Sequence, residues 1–203
     1  MTNLTGLHRH AIDATGHIVA GIRPDQWTAP TPCEDWDIRA LTNHVIGGNL
    51  WAAELVSGKT IEQVGAALDG DLIGPEPAAS YQRSADAAAA AFEAPGALDA
   101  PCAVSYGPIP GSIYAGHRII DLVIHGWDLA VASGQSTRLE PDLVDGCIEI
   151  IAPQLDLLTA SGAFAPMLDV PADAGAQERL LGWLGRDPAR LGGVGTEARF
   201  PRR

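Results

Sequence analysis

The chain has 203 residues, enough for one ordinary domain with a sizeable core, and its 46% hydrophobic content is that of a globular protein. Thirteen basic against 25 acidic residues leave a net charge of −12, which argues against nucleic-acid backbones and anionic membrane surfaces as partners. No apolar run approaches a membrane span, and the start Met1–Thr5 lacks the basic lead and apolar core of a signal peptide, so a cytoplasmic protein is expected.

Leu4, Leu7, Ala11, Ile18 and Ile22 recur at helical spacing and predict a first helix over 3–21. His8, His10 and His17 lie on or beside it and read first as surface or core histidines; His8, next to the apolar stripe, is held in reserve as a ligand. Pro24, Pro30 and Pro32 make 23–36 a non-helical connection. Cys33 lies in it. With Cys102 and Cys147 it makes three widely spaced cysteines without a CxxC pair, a pattern of inert thiols and not of a disulfide framework or zinc knuckle.

Asp37 is placed to cap a second helix, with Trp36 packing ahead of it and Ile38, Leu41, Val45 and Leu55 facing inward. His44 stands beside that face. Gly47 and Gly48 follow one turn on, and Trp51 two turns on. Each glycine inside a helix costs about 1 kcal/mol relative to Ala. Close helix packing and ligand access to His44 both explain that cost.

A loose stretch over 59–76 leads to a third helix over 77–93, with Tyr81, Ala85, Ala88 and Phe92 inward and Pro95-Gly96 ending it. Residues 97–111 look extended and form a candidate pocket rim. In the next helix, read over Gly116–Ala130, His117, Asp121 and His125 stand at i, i+4 and i+8, within about 80° of one another. Ile120, Val123, Ile124 and Trp127 supply its apolar surface. A carboxylate one turn before an imidazole can grip a divalent cation; the alternative is a polar pair on a solvated face. Asp128 suits a group supporting the metal, a general base, or a partner elsewhere. Trp51 and Trp127 are placed to line a cavity, with core packing the default for Trp127.

Gly134 should stop this helix. A further helix is predicted over 140–160, with Leu143, Cys147, Ile150, Ile151 and Leu158 inward and a kink or break at Pro153. A short helix over 174–184 is expected to start from Asp173 and stop at Gly185 and Pro188, followed by a poorly ordered tail from 192 to 203. There is no internal repeat, phosphate-binding glycine loop or GxSxG motif.

Two stretches together, TPCEDWDIRALTNHV over Thr31–Val45 and DLVIHGWDLA over Asp121–Ala130, resemble the DinB-like metal-binding bundles. The likeness is to the N-terminal domain of mycothiol-dependent maleylpyruvate isomerases and to their single-domain actinobacterial relatives. Residues 171–181 and 185–188 resemble those single-domain relatives most. The resemblance implies an all-α, DinB-like four-helix bundle with a long crossover loop and a short C-terminal helix. It implies one domain over 1–203, with the bundle at about 3–160 and an extension over 161–203. It also implies one divalent metal held by His44, Asp121 and His125. The isomerases usually carry Glu where this chain has Asp121, so the metal is expected closer to this helix, with His117 a candidate fourth ligand or supporting group. The chain is expected to lack the isomerases' separate C-terminal α/β domain.

Two imidazoles and one carboxylate leave coordination positions open, as in catalytic sites. Zinc is the first expectation, with iron, nickel and manganese as alternatives. Such a site brings the pKa of bound water to about 7 and deprotonates a bound thiol. The single Lys59 against twelve arginines, with heavy Ala and Gly use, suits a GC-rich actinobacterial host that makes mycothiol. The expected function is therefore a metal-dependent enzyme activating a mycothiol-like thiol, or water, for S-transfer or isomerisation. Asp128 is the catalytic candidate, and Gly48 and Trp51 are the candidates for cofactor or substrate contact. The alternatives are a lyase or cyclase of specialised metabolism and a non-catalytic, metal-dependent binding protein for a small molecule. A symmetric homodimer is expected through apolar residues to spare on the last helix, Leu180, Leu181, Trp183 and Leu184.

Overall fold

Four helices meet along one apolar seam in the computed structural model, which describes residues 3–33, 36–162 and 164–190. The tail over 192–203 and the side chain of Leu158, for which the sequence raised expectations, lie outside the described residues. Helix α1 (Leu4–Ala20) is capped by Asn3, whose side chain accepts from Gly6 N–H. Helix α2 (Ile38–Val56) is capped by Asp37, whose Oδ1 accepts the Ala40 N–H at 2.8 Å. The loose stretch after it contains a single turn, α3 (Ile61–Val64), closed by a reciprocal Thr60–Gln63 capping box. Helix α4 (Pro77–Glu93) begins on a proline, where the missing N–H costs nothing.

The extended stretch is a two-stranded antiparallel hairpin, β1 (Pro101–Val104) and β2 (Gly107–Pro110). It delivers the chain directly into α5 (Gly111–Ser133), five residues earlier than periodicity placed that helix's start. Gly134 ends α5 in the left-handed conformation, φ +68°.

Each of the four long helices packs on two others: α1 and α2 each lie against both α4 and α5. Consecutive helices α1 and α2 therefore occupy diagonal corners, and the connection from α2 to α4 is the long crossover. The alanines Ala85, Ala88 and Ala89 are fully buried and let α4 approach its neighbours closely, while Tyr81 and Phe92 fill the space beside them. Gly126 does the same for α5, since a Cβ there would stand 2.9 Å from the Thr15 hydroxyl oxygen of α1. Ile120, Val123, Ile124 and Trp127 are all buried in this core. Each such side chain contributes about 1.5–3 kcal/mol. No helix among the described residues is long and apolar enough to cross a membrane.

Pro153 breaks the predicted helix over 140–160. Helix α6 (Pro141–Ile151) ends two residues before it, and α7 (Leu155–Ser161) resumes after a 3₁₀ turn. The short C-terminal helix α8 (Ala176–Trp183) starts from Gly175, not Asp173, because the Glu178 carboxylate accepts the Gly175 N–H. The leucines expected to be spare are not: Leu180, Leu181 and Leu184 are fully buried in this chain's own core. Only Trp183 of that group is partly exposed, so α8 loses the ground on which a dimer was expected.

His8 is buried beside Phe92, ring centroids 4.6 Å apart and edge to face, and its Nε2 has no partner among the described residues. Burial, with help from the charges of Arg118 and Arg9, lowers its pKa to about 3. The unfolded chain takes up that proton near pH 6.5 and the folded chain does not, so stability falls as pH drops through this interval. Between pH 7.5 and 5 the His8 contribution to that loss is about 2 kcal/mol. Urea unfolding of His8→Leu at the two pH values should show a loss smaller by about that amount than in the unaltered protein.

Candidate metal centre

The chain between α1 and α2 turns back on itself. Thr31 N–H and Oγ1 both donate to Trp36 C=O, and Trp36 N–H donates to Cys33 C=O at 2.9 Å. This knot lays the Trp36 ring against His44, centroids 4.6 Å apart, and turns Cys33 towards α5. Since α2 packs on α5, His44 then meets the Asp121/His125 pair. His44 Nε2 and His125 Nε2 each stand 3.5 Å from Asp121 Oδ1, and the three ligand atoms all lie within 4.8 Å of one another.

That spacing fits a divalent ion. Ligands about 2.1 Å from a tetrahedral metal lie about 3.4 Å from one another. The set is two nitrogens and one oxygen with one flank open: the His44 side chain is 37% exposed and that of Asp121 19%. His117, expected as a fourth ligand or supporting group, belongs to no such cluster among the described residues. Its Nδ1 instead hydrogen-bonds the Tyr106 hydroxyl at 2.9 Å, at the tip of the hairpin.

Each of the three side chains is held from behind. Arg118, one turn before Asp121, donates from Nη1 to Asp121 Oδ2 at 2.9 Å, which leaves Oδ1 facing the imidazoles. The guanidinium lies where a side chain at position 48 would be, since a Cβ on Gly48 would overlap it. The space cleared by Gly48, expected to admit a ligand, therefore admits Arg118. A Cβ on Gly47 would make only ordinary contact with Leu72, 3.4 Å away. Trp51, two turns beyond His44, lines a cavity of about 730 Å³ that reaches Asp121.

His125 Nδ1–H donates to Asp128 Oδ2 at 3.1 Å, which presents Nε2 to the site. Asp128 has no solvent exposure. Both its oxygens accept from Arg186, at 3.1 Å from Nε and 2.7 Å from Nη2. From that position Asp128 orients His125 and does not reach the cavity. Cys33 completes the cluster, its Sγ 3.1 Å from Arg186 Nη2 and 3.3 Å from Asp128 Oδ2. Cys33, His125 and Asp128 also have metal-binding spacing, but the Arg186 guanidinium already supplies the cation there.

Arg186 had no assigned role in the sequence, although Gly185-Arg186-Asp187-Pro188 stood out in the resemblance. Gly185 turns the chain inward with φ +70°, and a Cβ there would collide with the Ala165 backbone. Burial alone would raise the Asp121 carboxyl, but Arg118, His125 and His44 hold it well below the usual carboxylate range. Burial would lower His125, yet Asp121, Asp128 and Cys33 push it well above the usual imidazole value. Two carboxylates flanking one imidazole make this a place that draws positive charge.

A sequence profile for the mycothiol maleylpyruvate isomerase N-terminal domain matches residues 8–130. The chain belongs to that family. The matched span includes His44, Asp121, His125 and Asp128 and stops short of Arg186. The uncharacterised Mycobacterium tuberculosis proteins Rv0738 (strain H37Rv) and MT0763 (strain CDC 1551) are each 34% identical over 187 residues, 88% of this chain and 95% of theirs. Two crystal structures of the mycothiol-dependent maleylpyruvate isomerase, one of a histidine-to-alanine variant, superpose with a TM-score of 0.61 at 15% identity. They cover 86% of this chain and 81% of the isomerase's, so the family member shares the DinB-like bundle of that protein.

Because Asp128 and Arg186 act on His125 from behind, their loss should weaken metal binding without unfolding the bundle. Asp128→Asn and Arg186→Met should each lower zinc affinity about 10–100-fold, measured by competition with a chromogenic chelator. Unchanged affinity in both would mean that His125 needs no such support.

Proposed function

We propose that this chain is a divalent-metal-dependent enzyme that activates a low-molecular-weight thiol of the mycothiol kind for isomerisation or S-transfer to a small electrophile. The observation that carries this is the meeting of His44 Nε2, His125 Nε2 and Asp121 Oδ1, with Asp121 on the wall of a large cavity and no fourth protein ligand among the described residues. The family supports the thiol and the isomerase class.

When bound, a zinc ion or similar cation supplies Lewis acidity that turns a coordinated thiol or water into a nucleophile at neutral pH. The protein's own groups prepare the place. Arg118 holds one Asp121 oxygen and neutralises a charge that burial would otherwise make costly. Asp128 and Arg186 fix the ring orientation of His125, and Trp36 fixes that of His44. The exposed flank of His44 leaves the thiol a route in, and the cavity on the Asp121 side leaves room for the second reactant. Closing the site with a fourth side chain would suit a structural metal; the open flank suits turnover.

The purified chain should contain about one divalent ion, and the His44→Ala, His125→Ala double variant should contain none while keeping its helical circular-dichroism spectrum. Thiol-dependent consumption of an electrophile panel should fall at least about a hundredfold in the same variant. Full metal occupancy in the variant would refute the ligand assignment. Unaltered turnover without metal would refute the chemistry.

A further inference from the structure

The cavity beside the centre has a chemistry of its own. Trp51 and Leu55 of α2, Ile61 of α3, Tyr114 and Ile120 of α5 and Phe164 beyond α7 lie in its wall. Its mouth is apolar as well. Tyr106, Ile113 and Leu157, which line it, are 66%, 44% and 74% exposed. They are three of the five large hydrophobic side chains that the described residues leave exposed, so the exposed apolar surface is gathered at this opening.

The two charged side chains of the described lining, Arg118 and Asp121, are paired with each other. Arg118 is the one permanently charged cation among the described lining residues, and its Nη1 is bound to Asp121. Its Nη2 faces Asn49 Oδ1 at 3.5 Å, and its Nε is sealed from solvent. His117 is engaged by Tyr106, and burial lowers its pKa, so it is neutral at pH 7. An entering carboxylate would find no free cation among the side chains of this wall, and the chain's net charge of −12 opposes it further. A volume of about 730 Å³ is that of a pocket for a drug-sized molecule, several times what a three- or four-carbon acid fills.

We propose that this cavity binds an uncharged, mostly apolar small molecule with an aryl or alkyl body, held with its polar end towards Asp121, and that it excludes small dicarboxylates. That this ligand is the electrophile rests on the reading of the metal centre given above; that it binds does not. The apolar wall takes the body of the molecule, and the open mouth gives it a low-polarity way in. Specificity for the apolar body comes from desolvation, because a charged group would lose its water without gaining a partner.

The test uses N-phenyl-1-naphthylamine, a neutral apolar dye whose fluorescence rises on leaving water, with the full chain in zinc-loaded and zinc-stripped forms. Saturable binding of one dye per chain is expected in both forms, with no displacement by maleate in large excess. Ile113→Glu, an exchange at an exposed mouth position, should weaken binding about tenfold or more at unchanged melting temperature, and Trp51→Ala, whose ring also packs on the core, should weaken it at least as much with a lowered melting temperature. Trp51→Phe should restore most of the affinity. Absence of saturable binding, displacement by maleate, or undiminished binding in both Ile113→Glu and Trp51→Ala would overturn the proposal. Dye binding that persists in a chain that never takes up metal would support the cavity while refuting the metal centre, so the two fail separately.

Discussion

The Asp121 carboxylate is shared between a guanidinium and two imidazoles, and the rest of the site is arranged to make that sharing possible. A charge this deep is costly unless matched, and removing one partner of a buried pair costs about 3–5 kcal/mol. Arg118 provides the match at 2.9 Å, and it fits because position 48 carries no side chain. A glycine within a helix costs about 1 kcal/mol. The smaller cost is therefore set against the larger one, and ion pairing, not ligand access, accounts for Gly48. The remaining oxygen is left pointing at His44 and His125, where a divalent ion suits the spacing.

His125 has two occupied faces. Its Nε2 faces Asp121, and its Nδ1 faces Asp128 and Cys33, both of which Arg186 holds in turn. Arg186 arrives from beyond α8, so the C-terminal segment is part of the support for the centre and not an appendage to the bundle. The same segment buries Leu180, Leu181 and Leu184 against the core, which fixes where the turn at Gly185 begins. Packing energy in α8 thus positions a guanidinium 58 residues from its partner in sequence.

Local signals were readable where a single residue decides local geometry. Asp37 as a cap, Gly134 as a stop and Pro153 as a break each act within one turn of helix, and so do the apolar stripes of α1 and α4. The resemblance supplied His44, which no periodicity could have joined to Asp121 across 77 residues. What the sequence hid was long-range or depended on volume. Arg118 carries no local signal, because the room it occupies is left by the side chain that Gly48 lacks, 70 residues away. Asp128 left several readings open because its partner, Arg186, comes from a different element. His117 shares a stripe with Asp121, yet the hairpin tip brings Tyr106 to it first. The leucines of α8 looked spare only because the face they cover is distant in sequence.

X-ray absorption at the zinc edge of the metal-loaded protein, without added thiol, bears most directly on the centre. An ion between His44, Asp121 and His125 has only nitrogen and oxygen neighbours, at about 2.0–2.2 Å, with the outer-sphere signature of two imidazoles. The neighbouring group of Cys33, His125 and Asp128 would instead bring a sulfur at about 2.3 Å. Two imidazoles and no sulfur is the predicted result; a zinc–sulfur path in the thiol-free protein would contradict it and move the metal to the other face of His125.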